Sequence, residues 1–197
     1  MTAATAWINL LRHGEAEGGA RYRGSTDDPL TAAGWRQMEA AVAGQGPWER
    51  IVTSPRARCA AFARALAKRY GRILEVDERW SEIDFGAWEG RTAEALMAEE
   101  PEALERFWRD PLTHPPPGGE PLPAFRDRVL AAWRELVSRC QGERVLIITH
   151  GGPIRVVAAH LTGRPLTHLL AIPVPLGHRV RWQAQCPRSS PQAAGSP

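Results

Sequence analysis

Two short apolar runs in this chain end alike, and the coincidence restricts the fold more than any other feature. Trp7-Ile8-Asn9-Leu10-Leu11 stops abruptly on Arg12, His13, Gly14 and Glu15, and far downstream Val145-Leu146-Ile147-Ile148-Thr149 stops on His150, Gly151 and Gly152. Apolar runs of this length, the second of them rich in β-branched residues, read as strands buried on both faces, as parallel strands are. In open α/β sheets, ligands gather in the crevice outside the carboxyl ends of such strands. A single Arg-His pair after a strand is an ordinary loop start. Two strands that each deliver a histidine and glycine at their carboxyl ends aim chemistry at one crevice.

Between the two strands, helical patterns alternate with further short strands. Thr31 to Ala43 reads as a helix capped by Thr31, with Trp35, Met38 and Val42 on its apolar face. Ile51-Val52 forms a short strand, and Ser54-Pro55 opens an alanine-rich helix, Ser as cap and Pro at the first position, with Arg58 on the first turn and Phe62 and Leu66 in a buried seam. Arg72 to Val76 reads as a strand and Asp77 to Gly90 as an irregular stretch. Thr92 to Asp110 reads as two short helices parted by Pro101, and Pro111 to Pro123 as a loop. Leu122 to Cys140 is helical, with Phe125, Val129, Ala132, Leu136 and Cys140 in step. Pro153 to Leu161 forms a helix whose first amides point to the same crevice. Ala171 to Val174 and His178 to Gln183 add terminal strands. The alternation predicts an α/β fold: a three-layer sandwich with a mostly parallel sheet and helices on both faces. One domain is expected over 1–186, with a lid insertion around 90–123, and the Ser-, Pro-, Gly- and Ala-rich segment 187–197 reads as a disordered tail.

Composition narrows the function classes. Basic and acidic residues number 25 and 22, interspersed, for a net charge of +3, which describes a solvated surface with no nucleic-acid footprint. Cys59, Cys140 and Cys186 show neither zinc nor redox spacing, so a reduced, cytoplasmic setting is expected. The N-terminal apolar run breaks at Arg12, too soon for a signal peptide, and no stretch approaches a membrane span. Neither nucleic acid nor membrane is expected as a partner. The oligomeric state stays open, a dimer among the options.

Arg12, His13, Arg58 and His150, taken together, favour phosphoryl chemistry. Guanidinium forks bind phosphate oxygens bidentately and stay charged. One imidazole is then free to attack phosphorus while the other groups stabilise the equatorial oxygens. Gly14 beside the pair suits a close backbone approach to an oxyanion and a dihedral that other residues resist. Each residue also has a plainer reading: Arg58 as a solvated cation on a helix face, His150 as a satisfied core histidine.

Leu11-Arg12-His13-Gly14-Glu15, Tyr22-Arg23-Gly24, Asp28-Pro29-Leu30-Thr31, Gly34, Ser54-Pro55-Arg56-Ala57-Arg58, Glu82-Ile83-Asp84-Phe85-Gly86-Ala87-Trp88-Glu89-Gly90 and Thr149-His150-Gly151-Gly152 follow one another in an order and spacing that resembles the histidine phosphatase superfamily, with its phosphoglycerate-mutase-like fold. The resemblance implies that His13 is the phosphorylated nucleophile, that Arg12, Arg58 and His150, with Gly151, hold the phosphate of a small-molecule monoester, and that Glu82 donates the proton to the leaving group. It implies no metal and no organic cofactor. Many members carry an Asn six residues beyond the nucleophile; here that place is Gly19, and a backbone amide of Gly18 or Gly19 is the candidate substitute.

Within the family, Phe85 to Gly90, Arg58-Cys59 and Gly118-Gly119-Glu120 look like α-ribazole phosphatase, which removes the 5′-phosphate in assembling the lower ligand of cobalamin. The mutase branch carries an Arg-Arg pair in its lid, and none occurs between Gly90 and Pro123. Hydrolysis is therefore favoured over a phosphoglycerate mutase, with a broad-specificity sugar phosphatase as the alternative. A non-catalytic phosphate-binding module is the reading of another class; retention of both His13 and Glu82 speaks against it. Trp88, Phe107 and Trp108 either wall a ring-binding site or pack beneath the lid.

Overall fold

A computed structural model describes residues 5–140 and 142–185; the expected tail over 187–197 lies outside the described residues. Five strands, β1 (Thr5–Arg12), β2 (Arg50–Thr53), β3 (Ile73–Val76), β4 (Arg144–Thr149) and β5 (Arg179–Gln185), form one sheet in the order β3-β2-β4-β1-β5. All neighbouring pairs run parallel except β1 and β5. The helices are α1 (Ala32–Val42), α2 (Ala57–Tyr70), α3 (Ala93–Glu99), α4 (Pro101–Arg109), α5 (Leu122–Arg139) and α6 (Gly151–Thr162).

Alternation along the central strands sorts the core into two layers, because successive side chains point to opposite faces. Ile8, Leu10, Val145 and Ile147 pack with Phe125, Val129, Leu136, Ile154 and Val157 of α5 and α6. Leu11, Ile51, Leu146 and Ile148 pack with Met38, Val42, Phe62 and Leu66 of α1 and α2. The three-layer sandwich expected from the sequence is what the chain forms. Trp88, Leu96, Leu104 and Phe107 make a separate small core, so α3 and α4 bury their own apolar face.

The register of β1 against β4 does the work of positioning. Arg12 pairs with Thr149, and the His13 amide donates to the Thr149 carbonyl at 2.9 Å, so the two strand-end histidines emerge side by side.

Four local expectations are corrected. α2 begins at Ala57, two residues after Pro55, because Asp27 from a distant loop accepts from the Ala57 amide at 2.6 Å and starts the helix there. Ser54 is consequently not its cap. α6 takes Gly151 and Gly152 into its first turn, ahead of Pro153. Ala171–Val174 forms no strand: Leu166–Ala171 is a 3-10 turn, and Val174 instead gives its carbonyl to Arg12 Nη1 at 2.5 Å. Gly14 does not take a left-handed dihedral. It is small because a Cβ there would lie 2.0 Å from the Gly34 carbonyl oxygen, and one on Gly34 2.0 Å from that of Glu15. The two glycines interlock the loop after β1 with α1. No helix among the described residues is long and apolar enough to cross a membrane.

Candidate functional site

His13, Arg12, Arg58, His150, Gly151 and Glu82 all come to the carboxyl edge of β1 and β4. The His13 and His150 ring centroids lie 5.2 Å apart at 66°. His13 is 7% exposed, and its Nδ1 sits 2.7 Å from the Gly14 carbonyl. A carbonyl only accepts, so Nδ1 carries the hydrogen and Nε2 of the neutral ring keeps its lone pair. Burial, then the neighbouring Arg58 charge, pulls the His13 pKa down to about 3.

His150 is fully buried with both ring nitrogens partnered: Nδ1 accepts from Arg58 Nε at 3.3 Å, and Nε2 therefore donates to Ser54 Oγ at 2.8 Å. Burial and Arg58 hold its pKa well below the ordinary imidazole value. Of the two readings of His150, the satisfied core histidine describes its contacts, and through them it fixes Arg58. Both rings are thus expected to stay neutral from about pH 7.5 down to about pH 5, against an ordinary histidine midpoint of about 6.5. Ring chemical shifts followed through that range should show no titration for either; a midpoint near 6.5 for His13 would contradict the assignment.

Arg58 is no solvated cation. It is 0% exposed, with Nη1 donating to Thr26 O at 2.7 Å and Nη2 to Arg23 O at 3.0 Å and Gly24 O at 3.3 Å. Arg12 Nε is buried without a hydrogen-bond partner. Neither guanidinium forms an ion pair with a carboxylate among the described residues. Burial lowers the pKa of both, opposed at Arg12 first by Glu82 and at Arg58 by Cys59 and then Glu82. Two cations held by carbonyls rather than carboxylates leave positive charge uncompensated, which is the condition for binding an anion. Gly151 serves by lacking a side chain: a Cβ there would meet Arg155 Nη1 at 2.8 Å and Arg12 Cζ at 3.6 Å.

Glu82 accepts from the Gly152 amide through Oε2 at 3.0 Å and from the Ile83 amide through Oε1 at 3.1 Å. A Cβ on Gly152 would fall 2.0 Å from Oε1, so this glycine makes room for the carboxylate.

Three supporting residues escaped the sequence reading. Arg128 donates to the carbonyls of Arg79, Ser81 and Glu82, each at 2.9 Å, and pairs with Glu120 at 2.7 Å, clamping the backbone that carries Glu82. Glu89 accepts from the amides of Gly24, Ser25 and Thr26 at 2.8, 2.9 and 3.0 Å, ordering the loop whose carbonyls hold Arg58. Burial opposes its ionisation, but the Thr26 hydroxyl and the amides of Thr26, Phe85 and Ser25 prevail and its pKa is lowered. Ser54 orients His150. Spacing marks none of these roles, since each acts through contacts between distant segments, although Ser54 and Glu89 fell inside stretches singled out above.

Gly19 borders a cleft of about 450 Å³ together with Arg12, His13 and Arg23. Gly18 and Gly19 both take positive φ, 79° and 74°, a conformation that glycine adopts freely. Trp88 is buried in the small core, Phe107 nearly so, and Trp108 is 45% exposed with its Nε1 donating to Tyr22 Oη at 2.9 Å. Packing describes Trp88.

Comparison with known proteins agrees with this geometry. The chain is 31% identical over 169 residues to the probable phosphoglycerate mutase GpmB of Salmonella paratyphi B, covering 80% of this chain and 75% of that one. It is 35% identical over 153 residues to the bifunctional protein Rv2228c of Mycobacterium tuberculosis, and spans 42% of that protein's length. Among solved structures, mycobacterial glucosyl-3-phosphoglycerate phosphatase Rv2419c, complexed with VO3, superposes with a TM-score of 0.79 at 29% identity over 89% of this chain and 91% of that one. A putative α-ribazole-5′-P phosphatase from Escherichia coli K-12 gives a TM-score of 0.79 at 25% identity, over 92% and 91%. The family model of the histidine phosphatase superfamily (branch 1) matches residues 8–185. With that match laid over an arginine-lined histidine pair at the strand ends, the chain belongs to the histidine phosphatase superfamily.

Proposed function

We propose that this chain hydrolyses phosphate monoesters through a phosphohistidine on His13. The observation that carries the reading is a neutral His13 whose Nδ1 is committed to the Gly14 carbonyl, leaving Nε2 unprotonated beside two guanidiniums without carboxylate partners. The Nε2 lone pair attacks phosphorus and the P–O ester bond breaks. Glu82 gives its proton to the departing alkoxide, and Arg12 and Arg58 stabilise charge on the equatorial oxygens. His150 holds Arg58 in place. In the second step the Glu82 carboxylate takes a proton from water as its oxygen attacks phosphorus. The N–P bond breaks, its electrons return to Nε2, and inorganic phosphate leaves.

Among substrates, α-ribazole 5′-phosphate in cobalamin assembly is supported by the Phe85–Gly90 and Gly118–Glu120 likeness and by a neighbour at 25% identity. The ring would enter the apolar chamber beside Glu82, lined by Phe85, Phe107, Phe125 and Leu169, whose volume is about 60 Å³. Small-molecule pockets typically hold roughly 300–1,000 Å³, so this substrate requires the segment 90–123 to open as a lid. The mutase reading is supported by the likeness to GpmB. Against it, Arg91 is engaged by Glu99 at 2.6 Å and Glu100 at 2.8 Å, and no Arg-Arg pair follows it before Pro123.

Phosphate release over a panel of α-ribazole 5′-phosphate, 3-phosphoglycerate, fructose 2,6-bisphosphate and phosphopeptides tests the reading. Because Arg12 and Arg58 supply the charge that Mg²⁺ supplies elsewhere, turnover should be unchanged in excess EDTA. Loss of turnover on chelation, restored by Mg²⁺, would refute the mechanism.

A further inference from the structure

In-line phosphoryl transfer places the attacking and leaving atoms on opposite sides of phosphorus. The two candidate groups accordingly open onto different clefts. His13 lines the cleft with Arg12 and Arg23, whereas Glu82 lines a polar groove of about 530 Å³ bordered by Ser25, Asp27, Arg56, Ser81 and Arg128. Glu82 borders both this groove and the apolar chamber, so the alcohol it protonates has two directions in which to leave. The groove has the capacity for a polyhydroxylated alcohol, which the small apolar chamber lacks in this conformation.

Most charged groups in the groove already have an ion-pair partner or a backbone hydrogen bond. Arg128 is paired with Glu120, and Arg79 with Asp77 and Glu135, each at 2.7 Å. Asp27 accepts from the Ala57 amide at 2.6 Å and Asp84 from the Gly86 amide at 2.8 Å. Glu78 is exposed at the rim and solvated. Arg56 differs from all of these. It is half-buried, its Nε is fully buried with no hydrogen-bond partner, and its guanidinium forms no ion pair among the described residues. It stands two residues before Arg58, and its charge reaches His150. A buried donor left without an acceptor is costly unless a ligand completes it.

We infer that Arg56 is a specificity-determining residue that binds a second anion, a carboxylate or a phosphate, on the leaving alcohol of the substrate. This rests on the phosphatase reading above. The preferred substrates are then phosphate esters of small hydroxylated acids or bisphosphates, which ranks them above esters of neutral alcohols, the α-ribazole ester included.

The experiment compares kcat/KM on matched esters that differ in the second anion: 3-phosphoglycerate against glycerol 1-phosphate for a carboxylate, and fructose 1,6-bisphosphate against fructose 6-phosphate for a phosphate. A charge-assisted hydrogen bond corresponds to about tenfold to hundredfold in binding, so the wild type should favour the anionic member of at least one pair by about that factor. Arg56→Leu should erase the preference through KM, and Arg56→Lys should restore part of it. The pair that responds identifies the anion. A wild-type preference below about twofold in both pairs, an unchanged ratio in Arg56→Leu, or an equal loss on both members of a pair would overturn the assignment. If the wild-type chain releases phosphate from no ester, including p-nitrophenyl phosphate, the phosphatase reading falls and takes this assignment with it; release with unchanged ratios removes the Arg56 assignment alone.

Discussion

His13→Ala is expected to lower kcat/KM for every phosphate monoester by about 10⁵-fold or more, the scale seen when a nucleophile is removed from a preorganised site. The reason is specific to this arrangement. His150, the other imidazole at the strand ends, has Nδ1 and Nε2 occupied by Arg58 and Ser54, so it cannot take over the attack. Arg12 and Arg58 remain, so phosphate binding should survive the substitution while turnover does not. His13 lies at the edge of a cleft with 7% exposure, and the fold should tolerate its truncation, as circular dichroism and thermal melting would verify. Residual turnover within tenfold of wild type would place the nucleophile elsewhere.

Glu82→Gln has the second-largest expected effect, and it should depend on the leaving group. A sugar alkoxide leaves poorly without a proton, and donation to such a group typically contributes about 10²- to 10⁴-fold. The phosphorylation rate with an alkyl phosphate should fall by that amount. With p-nitrophenyl phosphate, whose leaving group needs no proton, the fall should be much smaller. Glutamine keeps a carbonyl oxygen for the Gly152 amide, so the side chain stays where the glycine leaves room for it. Single-turnover kinetics on both esters separate the steps. An equal loss on both would make Glu82 a positioning group and put the acid elsewhere.

The central sheet was readable in the sequence because buried parallel strands are continuous apolar runs, and the pairing of His13 with His150 follows once those runs are neighbours in register. The helices with strong periodicity, α1 and α5, were readable for the same kind of reason, as was the break at Pro101. What escaped was set by contacts between distant segments. Asp27 moves the start of α2, the Val174 carbonyl is drawn to Arg12 instead of joining the sheet, and Gly14 is small because Gly34 presses on it. The partners of Arg58 are backbone carbonyls at Arg23, Gly24 and Thr26, which any residue types could provide. The clamp of Arg128 on the Glu82 backbone is invisible for the same reason: a charged residue on a helix reads as solvated until the opposing loop is known.

The destination of the phosphoryl group tests a phosphohistidine mechanism most directly. Wild-type protein mixed with substrate, quenched in alkali within the first turnover and analysed by mass spectrometry after proteolysis, should carry an acid-labile phosphate on the peptide containing His13. His13→Ala should carry none. A phosphate on His150, or rapid turnover with no phosphorylated histidine trapped on either ring, would contradict it.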